Sequence, residues 1–424
     1  MQRERNILIF PVGTEVGLET YRALKDVKGV KIFSASDDAP NHSNYVVHNH
    51  SVIPGVRDEA WVEALNELIR EHDIHYIFPG NDIVLDALIS RRDDIEAKVM
   101  ASPTETCKLI RSKSATYDRF KDILPVPQTF TEVESFPVFV KPDDGYGSQG
   151  AERVDNAEVL AHLLEKNPKL IISEHLEGRE FTIDCFTDRR KGLLFVSARD
   201  RRRIRMGTAL RSGIQDDARF RKYAELINDE LDLHGTWYFQ MKEDSEGNLK
   251  LLEIASRVAG SMGLHRVIGL NFPLLSIYDE EGVNIDILLN KSEGMEIDRV
   301  LGSKFSMNFD YDRIYVDLDD TIIVNGKLNL PMISFLYQGL NKGCKIILIS
   351  KCLSDVDEVL KQWRIKELFD EVIWLKEEDS KADYIEGNAI FIDDSFSQRK
   401  EVAEKCGIPT FDSSMLESLM DYRI

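Results

Sequence analysis

Two carboxylates two residues apart, Asp317 and Asp319, follow the apolar run Arg313–Val316, with Thr321 just beyond. Within a strand that spacing puts both on one face, and past the strand end it can bring both to a metal site. Further on, Lys345–Ile349 ends in Ser350, Lys381 follows a helical stretch, and Ala389–Ile392 ends in Asp393-Asp394. Three successive apolar strands thus deliver Asp, Ser and Asp-Asp at their carboxyl ends, where open parallel sheets bind ligands. A second set lies mid-chain. Lys141 closes the apolar run from Val138 and is followed by Asp143-Asp-Gly145-Tyr-Gly147-Ser148-Gln-Gly150. The three glycines let the backbone approach a ligand and turn several N–H groups toward phosphate oxygens. A lysine ahead of the loop can meet the same phosphates as a point charge. Glycine-rich loops are often plain turns, and the lysine placement is what favours phosphate here.

Glu174-His-Leu-Glu-Gly-Arg-Glu180 follows a strand and suits a hinge holding a base and ribose, although a solvated acidic turn has the same composition. Arg199, Arg201, Arg202, Arg203 and Arg205 are the densest basic cluster. A solvated charge run and a bidentate site for phosphate or carboxylate are the two readings. Gln240 and Glu253 sit in consecutive strands with Arg257 beyond. Two oxygen ligands on paired strands can hold Mg²⁺ against a triphosphate, because Mg²⁺ takes few protein ligands.

The elements that must position these residues form three regions. Asn6–Phe10, Val30–Phe33 and Ile74–Phe78 are apolar strands alternating with helical sequence, which predicts a parallel sheet over residues 1–103. Gly13-Thr-Glu-Val-Gly17 lacks the third glycine of a dinucleotide fingerprint, which disfavours NAD. Asn81-Asp82, after Pro79-Gly80, reads as a helix N-cap. Over residues 104–300 the pattern becomes α+β, with hairpin-like neighbours such as Trp237–Met241 and Leu249–Ile254. From 305 to 424 the parallel alternation returns, and Lys291–Lys304 reads as the linker.

A chain of 424 residues has room for these units. Its formal charge of −20 argues against nucleic acid and anionic membranes as general partners, while leaving room for local basic sites. No run approaches the ~18 apolar residues of a membrane span, and MQRERNILIFPVG does not read as a signal peptide. Five scattered cysteines without a CxxC pair suggest reduced thiols and a cytoplasmic location. His42, His48 and His50 lack partners at metal-ligand spacing and read as surface or strand residues.

In their order, the mid-chain motifs resemble the ATP-grasp superfamily, most closely its short carbamoyl-phosphate-synthetase-like branch, over roughly residues 1–300. The resemblance implies a Rossmann-like pre-ATP-grasp domain (1–103) and an ATP-grasp domain (104–300), with ATP and Mg²⁺ or Mn²⁺ as cofactors. By it, Lys113 and Lys141 are the two ATP lysines, and the loop of Gly145, Gly147, Ser148 and Gly150 is the phosphate lid. Glu174 belongs to the adenine hinge, Glu180 binds ribose, Gln240 and Glu253 hold metal, and Arg257 steadies the transferred phosphoryl group. The family's closing Glu-x-Asn-x-Arg motif reads Glu253-Ile-Ala255-Ser256-Arg257 here. Ala255 cannot ligate, so Ser256 or water replaces the Asn, or one metal site is weak. Arg199–Arg211 with Ser261, Met262 and His265 are expected to line the acceptor pocket.

The C-terminal motifs resemble the haloacid dehalogenase-like phosphatases over 305–424, as a capless Rossmannoid domain, since neither gap between motifs has room for a cap. By this resemblance Asp317 is the nucleophile and Asp319 the general acid and base. Thr321 and Ser350 bind phosphoryl oxygens, and Lys381 neutralises charge. Asp317, the Asp319 carbonyl, and Asp393 or Asp394 hold Mg²⁺. The combined expectation is a multidomain α/β and α+β enzyme. It ligates a small-molecule carboxylate to an amine through an acyl phosphate and hydrolyses a phosphate ester, with a phosphorylated metabolite among its substrates. A homo-oligomer is compatible with the sequence. The alternatives are a phosphotransferase with an editing phosphatase, or a nucleotide-binding scaffold without turnover.

Overall fold

The computed structural model describes residues 4–423 except 39–40, 146, 148, 206, 291–293, 301, 306–308, 353 and 422. The chain divides into two compact units, 1–301 and 302–423. In the first unit, β1 (Arg5–Phe10), α1 (Glu15–Leu24), β2 (Val30–Ser36), β3 (His50–Val52), α2 (Trp61–His72), β4 (Tyr76–Pro79), α3 (Asp82–Ser90) and β5 (Lys98–Val99) build the parallel sheet β3-β2-β1-β4-β5. β1 is almost wholly buried, as a central strand covered on both faces requires. Thr14 caps α1 by accepting from the Gly17 amide. A Cβ on Gly17 would lie 2.4 Å from the Pro11 carbonyl oxygen, so this glycine serves close packing of helix against loop.

Next come α4 (Thr104–Arg111), α5 (Lys113–Phe120), β6 (Val138–Pro142), β7 (Glu152–Val154), α6 (Ala157–Lys166) and β8 (Leu170–Glu174). The three strands form a small antiparallel sheet, β7-β6-β8. The larger sheet uses β9 (Glu180–Asp188), β10 (Gly192–Asp200), β11 (Arg203–Arg205), β12 (Thr208–Gln215), β13 (Gly235–Glu243), β14 (Leu249–Ala255) and β15 (Glu296–Asp298). Its order is β11-β12-β10-β9-β13-β14, with β15 added to β12. Its helices are α7 (Ala218–Glu230), α8 (Gly263–Arg266) and α9 (Phe272–Glu280). One apolar core joins the parallel sheet to this region, with Ile7, Ile9 and Tyr21 packed among Phe186, Phe195 and Tyr238. The 291–304 stretch is not simply a linker: β15 pairs antiparallel with β12 inside the first unit.

The second unit has β16 (Arg313–Val316), β17 (Ile323–Val324), β18 (Lys327–Leu328), α10 (Leu330–Asn341), β19 (Lys345–Ser350), α11 (Val356–Trp363), β20 (Glu371–Trp374), β21 (Ala389–Ile392), α12 (Phe396–Cys406) and β22 (Thr410–Phe411). Its parallel sheet runs β20-β19-β16-β21-β22, with β16 central. Between Thr321 and Ser350 lie one hairpin, one helix and β19. The hairpin β17–β18 turns through Asn325-Gly326, both at positive φ, the pairing that a two-residue hairpin turn favours. That Asn-Gly is a local signal of a hairpin that the apolar pattern alone does not reveal.

Candidate functional site

In the first unit, the elements that carry the mid-chain motifs surround two adjoining cavities of about 490 and 160 Å³, which share Lys113, Gly145, Gly147, Arg201, Gly207, Gln240 and Glu253. The smaller also meets Lys141, Glu174 and Glu180, with Phe139, Leu176 and Leu252 as its apolar walls. Lys113 opens α5 and Lys141 lies in β6; both are buried. The Lys141 ammonium donates to the Tyr117 hydroxyl at 2.6 Å, and that hydroxyl donates to the Leu252 carbonyl at 2.9 Å. Lys113 donates to the carbonyls of Gly145 at 2.8 Å and Asp143 at 3.3 Å. Among the described residues neither lysine has a carboxylate within ion-pair distance. Burial, with the charge of Lys113 nearby, pushes Lys141 down to about 8, and burial lowers Lys113 as well. Two buried ammonium groups without a direct ion pair, with Glu253 and Asp143 acting on them only at longer range, make a setting that suits a polyanion.

Gln240 and Glu253 face each other as register partners on β13 and β14. Glu180 pairs with Arg201 at 2.6 Å, and Glu174 accepts from the Gln128 amide at 2.9 Å with the Lys250 ammonium at 3.2 Å. Gly147 and Gly150 have φ of 58° and 67°, which a glycine adopts at no steric cost. Gly207, at φ 75°, packs so closely that a Cβ would lie 2.6 Å from the Gly147 carbonyl carbon. Ser148 lies outside the described residues.

Several expectations change at the larger cavity. Ser256 is no substitute for the missing Asn: its fully buried hydroxyl donates to the Ser102 hydroxyl at 2.7 Å and accepts from the Ser102 amide at 2.8 Å. Arg257 lines the cavity but is held in a bidentate pair with Asp82, at 2.6 and 2.7 Å, and donates to the Val258 carbonyl. Burial alone would raise the Asp82 carboxyl, yet the charge and hydrogen bonds of Arg257, with the charges of Arg111 and Lys113, together outweigh it and hold the group below its ordinary value. Asn81 is indeed the N-cap of α3, accepting from the Val84 amide; Asp82 beside it has this separate role. The basic cluster divides. Arg199 and Arg201 line the cavity, whereas Arg202 and Arg203 are exposed and paired with Glu296 and Asp298 of β15, and Arg205 is exposed. Ser261 lines the cavity. Met262 and His265 belong to the packed interior, and His265 lies 3.1 Å from Asp184, the bidentate partner of Arg199. Glu15 and Arg299, which sequence reasoning missed, are further cavity residues.

In the second unit, the strand ends converge. Carboxylate oxygens of Asp317, Asp393 and Asp394 lie within 4.8 Å of one another, the one such acidic or histidine cluster among the described residues. His42, His48 and His50 form no such group. Lys381, at the start of a short 3-10 turn, bridges Asp317 at 2.6 Å and Asp393 at 2.7 Å. Burial, reinforced by Asp393 and opposed by Lys381, pushes Asp317 up to about 6. Burial and the Asp393 charge also raise Asp394. Three clustered carboxylates, two of them sharing one lysine, make an electron-rich pocket that suits a divalent cation. Arg399 braces the acid loop by donating to the carbonyls of Asp393 and Asp394, each at 2.6 Å. Asp319 is exposed beside the cluster, and Ser350 is buried at the end of β19. Thr321 is fully buried, and its hydroxyl accepts from the Asp394 amide at 3.0 Å, tying the Asp317 loop to the Asp393 loop.

Taken with its motif-bearing strands and glycine loop, the chain has a mixed α/β multidomain architecture containing an ATP-grasp-like fold. The particular comparisons are these. A family model described as "ATP-grasp in the biosynthetic pathway with Ter operon" matches residues 166–301. A phosphoribosylamine–glycine ligase of Pyrococcus horikoshii is 27% identical over 177 residues, 35% of this chain and 40% of that protein. The match thus spans less than half the length of that curated relative. The biotin carboxylase domain of Hydrogenobacter thermophilus 2-oxoglutarate carboxylase, solved with MgADP and bicarbonate, superposes with a TM-score of 0.56 at 15% identity, covering 70% of this chain and 73% of that one. An L-amino acid ligase from Bacillus licheniformis gives 0.53 at 17% identity, covering 65% and 74%. No helix among the described residues is long and apolar enough to cross a membrane.

Proposed function

We propose that the chain is a bifunctional enzyme whose first unit is an ATP-dependent carboxylate–amine ligase and whose second unit is a Mg²⁺-dependent phosphatase. The observation that carries the ligase reading is the pair of buried lysines, without carboxylate partners among the described residues, beside Gln240 and Glu253. ATP supplies the phosphoryl group that activates the carboxylate as an acyl phosphate. Lys113 and Lys141 hold the phosphates, Glu174 and Glu180 the nucleoside, Gln240 and Glu253 the metal, and the loop at Gly145, Gly147 and Gly150 covers the site. The acceptor occupies the larger cavity. The named activity of the Pyrococcus horikoshii relative, which joins an amine to glycine, supports this class of chemistry.

The phosphatase reading rests on the Asp317–Lys381–Asp393 arrangement. Asp317 attacks the phosphorus and becomes an aspartyl phosphate while Asp319 protonates the leaving oxygen; Asp319 then takes the proton of the attacking water. Lys381 offsets the charge, and Asp317 with Asp393 and Asp394 holds Mg²⁺. Lys141→Ala should abolish ATP-dependent ADP formation on pooled metabolites, and Asp317→Asn should abolish hydrolysis of small phosphoesters. Survival of either activity in its variant refutes that assignment.

A second reading, nucleotide binding without turnover, is favoured by Ala255 together with the engagement of Ser256 by Ser102. It predicts ATP binding without ADP release. Under the ligase reading, Ala255→Asn should instead lower the Mg²⁺ concentration needed for half-maximal ADP formation severalfold.

A further inference from the structure

The exposed arginines around β12 serve a strand that arrives more than eighty residues later. β15 pairs with β12 in the register Arg211↔Asp298, Ser212↔Ile297 and Gly213↔Glu296. Arg202 and Arg211 hold Glu296, and Arg203 holds Asp298. The Arg202 guanidinium lies against Gly213, 2.7 Å from where a Cβ would stand. The ladder continues with the Arg299 amide donating to the Leu210 carbonyl at 2.8 Å. The Arg299 side chain lines the larger cavity, donating to the Ala209 carbonyl at 3.3 Å, and is 18% exposed.

Five arginines line that cavity, and their carboxylate partners differ. Arg199, Arg201 and Arg257 pair with Asp184, Glu180 and Asp82 at 2.7, 2.6 and 2.6 Å. Arg111 is paired closely with Asp86 and also donates to the Gly145 carbonyl, which ties it to the glycine loop. Arg299 faces Glu15 at 3.4 Å, and the Glu15 side chain is 48% exposed. A long pair with a solvated carboxylate contributes little, so its acid partner is exchanged at small cost, whereas the buried pairs resist exchange. Guanidinium also suits planar or tetrahedral oxyanions.

We propose that Arg299 binds an anionic oxygen group, carboxylate or phosphate, of the acceptor substrate, and that Glu15 is its resting partner. The proposal rests on the reading that this cavity serves the acceptor of the ligation. Glu15 competes with the ligand, so removing its charge strengthens anion binding while removing Arg299 weakens it.

The test is titration calorimetry on the full chain with succinate in one arm and inorganic phosphate in the other, each with and without saturating Mg²⁺ and AMP-PNP. Arg299→Gln should weaken binding of the favoured anion roughly tenfold or more, the scale of a lost charge-assisted hydrogen bond. Glu15→Gln should tighten it severalfold, a gain that misfolding cannot produce. The arm that responds identifies carboxylate or phosphate as the group. Unchanged affinity in both variants, or no binding of either anion by the wild type, overturns the proposal. Failure of AMP-PNP to bind the wild type overturns the ligase reading separately, because the nucleotide-free arms still report on Arg299.

Discussion

Lys141 shows how one side chain sets both a cost and a use. Its amine sits near 8 because burial disfavours the charged form. Between that value and the ordinary lysine range the unfolded chain binds the proton more strongly, so the folded state gains stability as pH rises through this window. A bound polyphosphate reverses the preference and draws a proton onto the amine. Nucleotide binding above about pH 8 should therefore take up a proton and weaken with increasing pH, and Lys141→Met should lose that dependence. Calorimetry in buffers of different ionisation enthalpy measures the uptake directly; the same uptake in wild type and variant would contradict the assignment. That Lys113, Lys141, Gln240 and Glu253 share one cavity is legible in the sequence because each lies in or at the start of an element whose local pattern is strong. Asp82 is not. Its neighbour Asn81 fully accounts for the helix start, while its own partner, Arg257, is 175 residues away. Ser256 misleads for a similar reason: its chain position places it near the metal ligands, but its direction is fixed by Ser102.

At the scale of elements, the hairpin β11–β12 and the glycine loop are coupled through Gly207 and Gly147. Alanine at 207 meets two obstacles, a positive φ and backbone at 2.6 Å. The loop must yield, because the hairpin is fastened through β12 to β10. Gly207→Ala should raise the KM for ATP about tenfold or more while leaving the circular dichroism spectrum unchanged, as expected from a displacement near ~1 Å at a positioning loop. An unchanged KM would show that the loop closes independently of the hairpin. Alternating α/β pattern makes the two parallel sheets readable, since period and strand length are local properties. β15 reads as linker because so short a strand carries no period, and its partner strand supplies the pairing. The arginine cluster is recognisable as unusual, but it cannot be divided into cavity and surface members without that pairing.

For the molecule as a whole, the two units have separate apolar cores. In the second unit one cluster centres on Ile314, Val316, Phe335 and Leu348 and another on Tyr315, Ile347 and Phe391, while those of the first unit draw on its own residues. The second unit, 302–423, is within the size range of an independently folding domain. The fragment from residue 305 to 424 should therefore unfold cooperatively when expressed alone, and under the phosphatase reading should retain phosphoester hydrolysis within a fewfold of the intact chain. Urea unfolding followed by Trp363 and Trp374 fluorescence gives the first result and a colorimetric phosphate assay the second. A fragment without a cooperative transition would show that the second unit needs the first to fold. The strand-end acids are legible here because a parallel sheet gathers its carboxyl ends on one side, so successive strands deliver their residues to a common place. The motif does not reveal that the Thr321 hydroxyl also accepts from the Asp394 amide, because that partner is 73 residues away.

The late arrival of β15 has a consequence for synthesis. Chains emerge from the ribosome N-terminus first, at about 5–20 residues per second. Under the ligase reading, the residues proposed for the nucleotide and its metal, the last of them Glu253, have all been synthesised once β14 has appeared, whereas the wall that carries Arg299 follows seconds later. Under that reading a nascent chain can meet nucleotide before the larger cavity is closed, and nucleotide would then act as a folding ligand for a sheet still lacking its last strand.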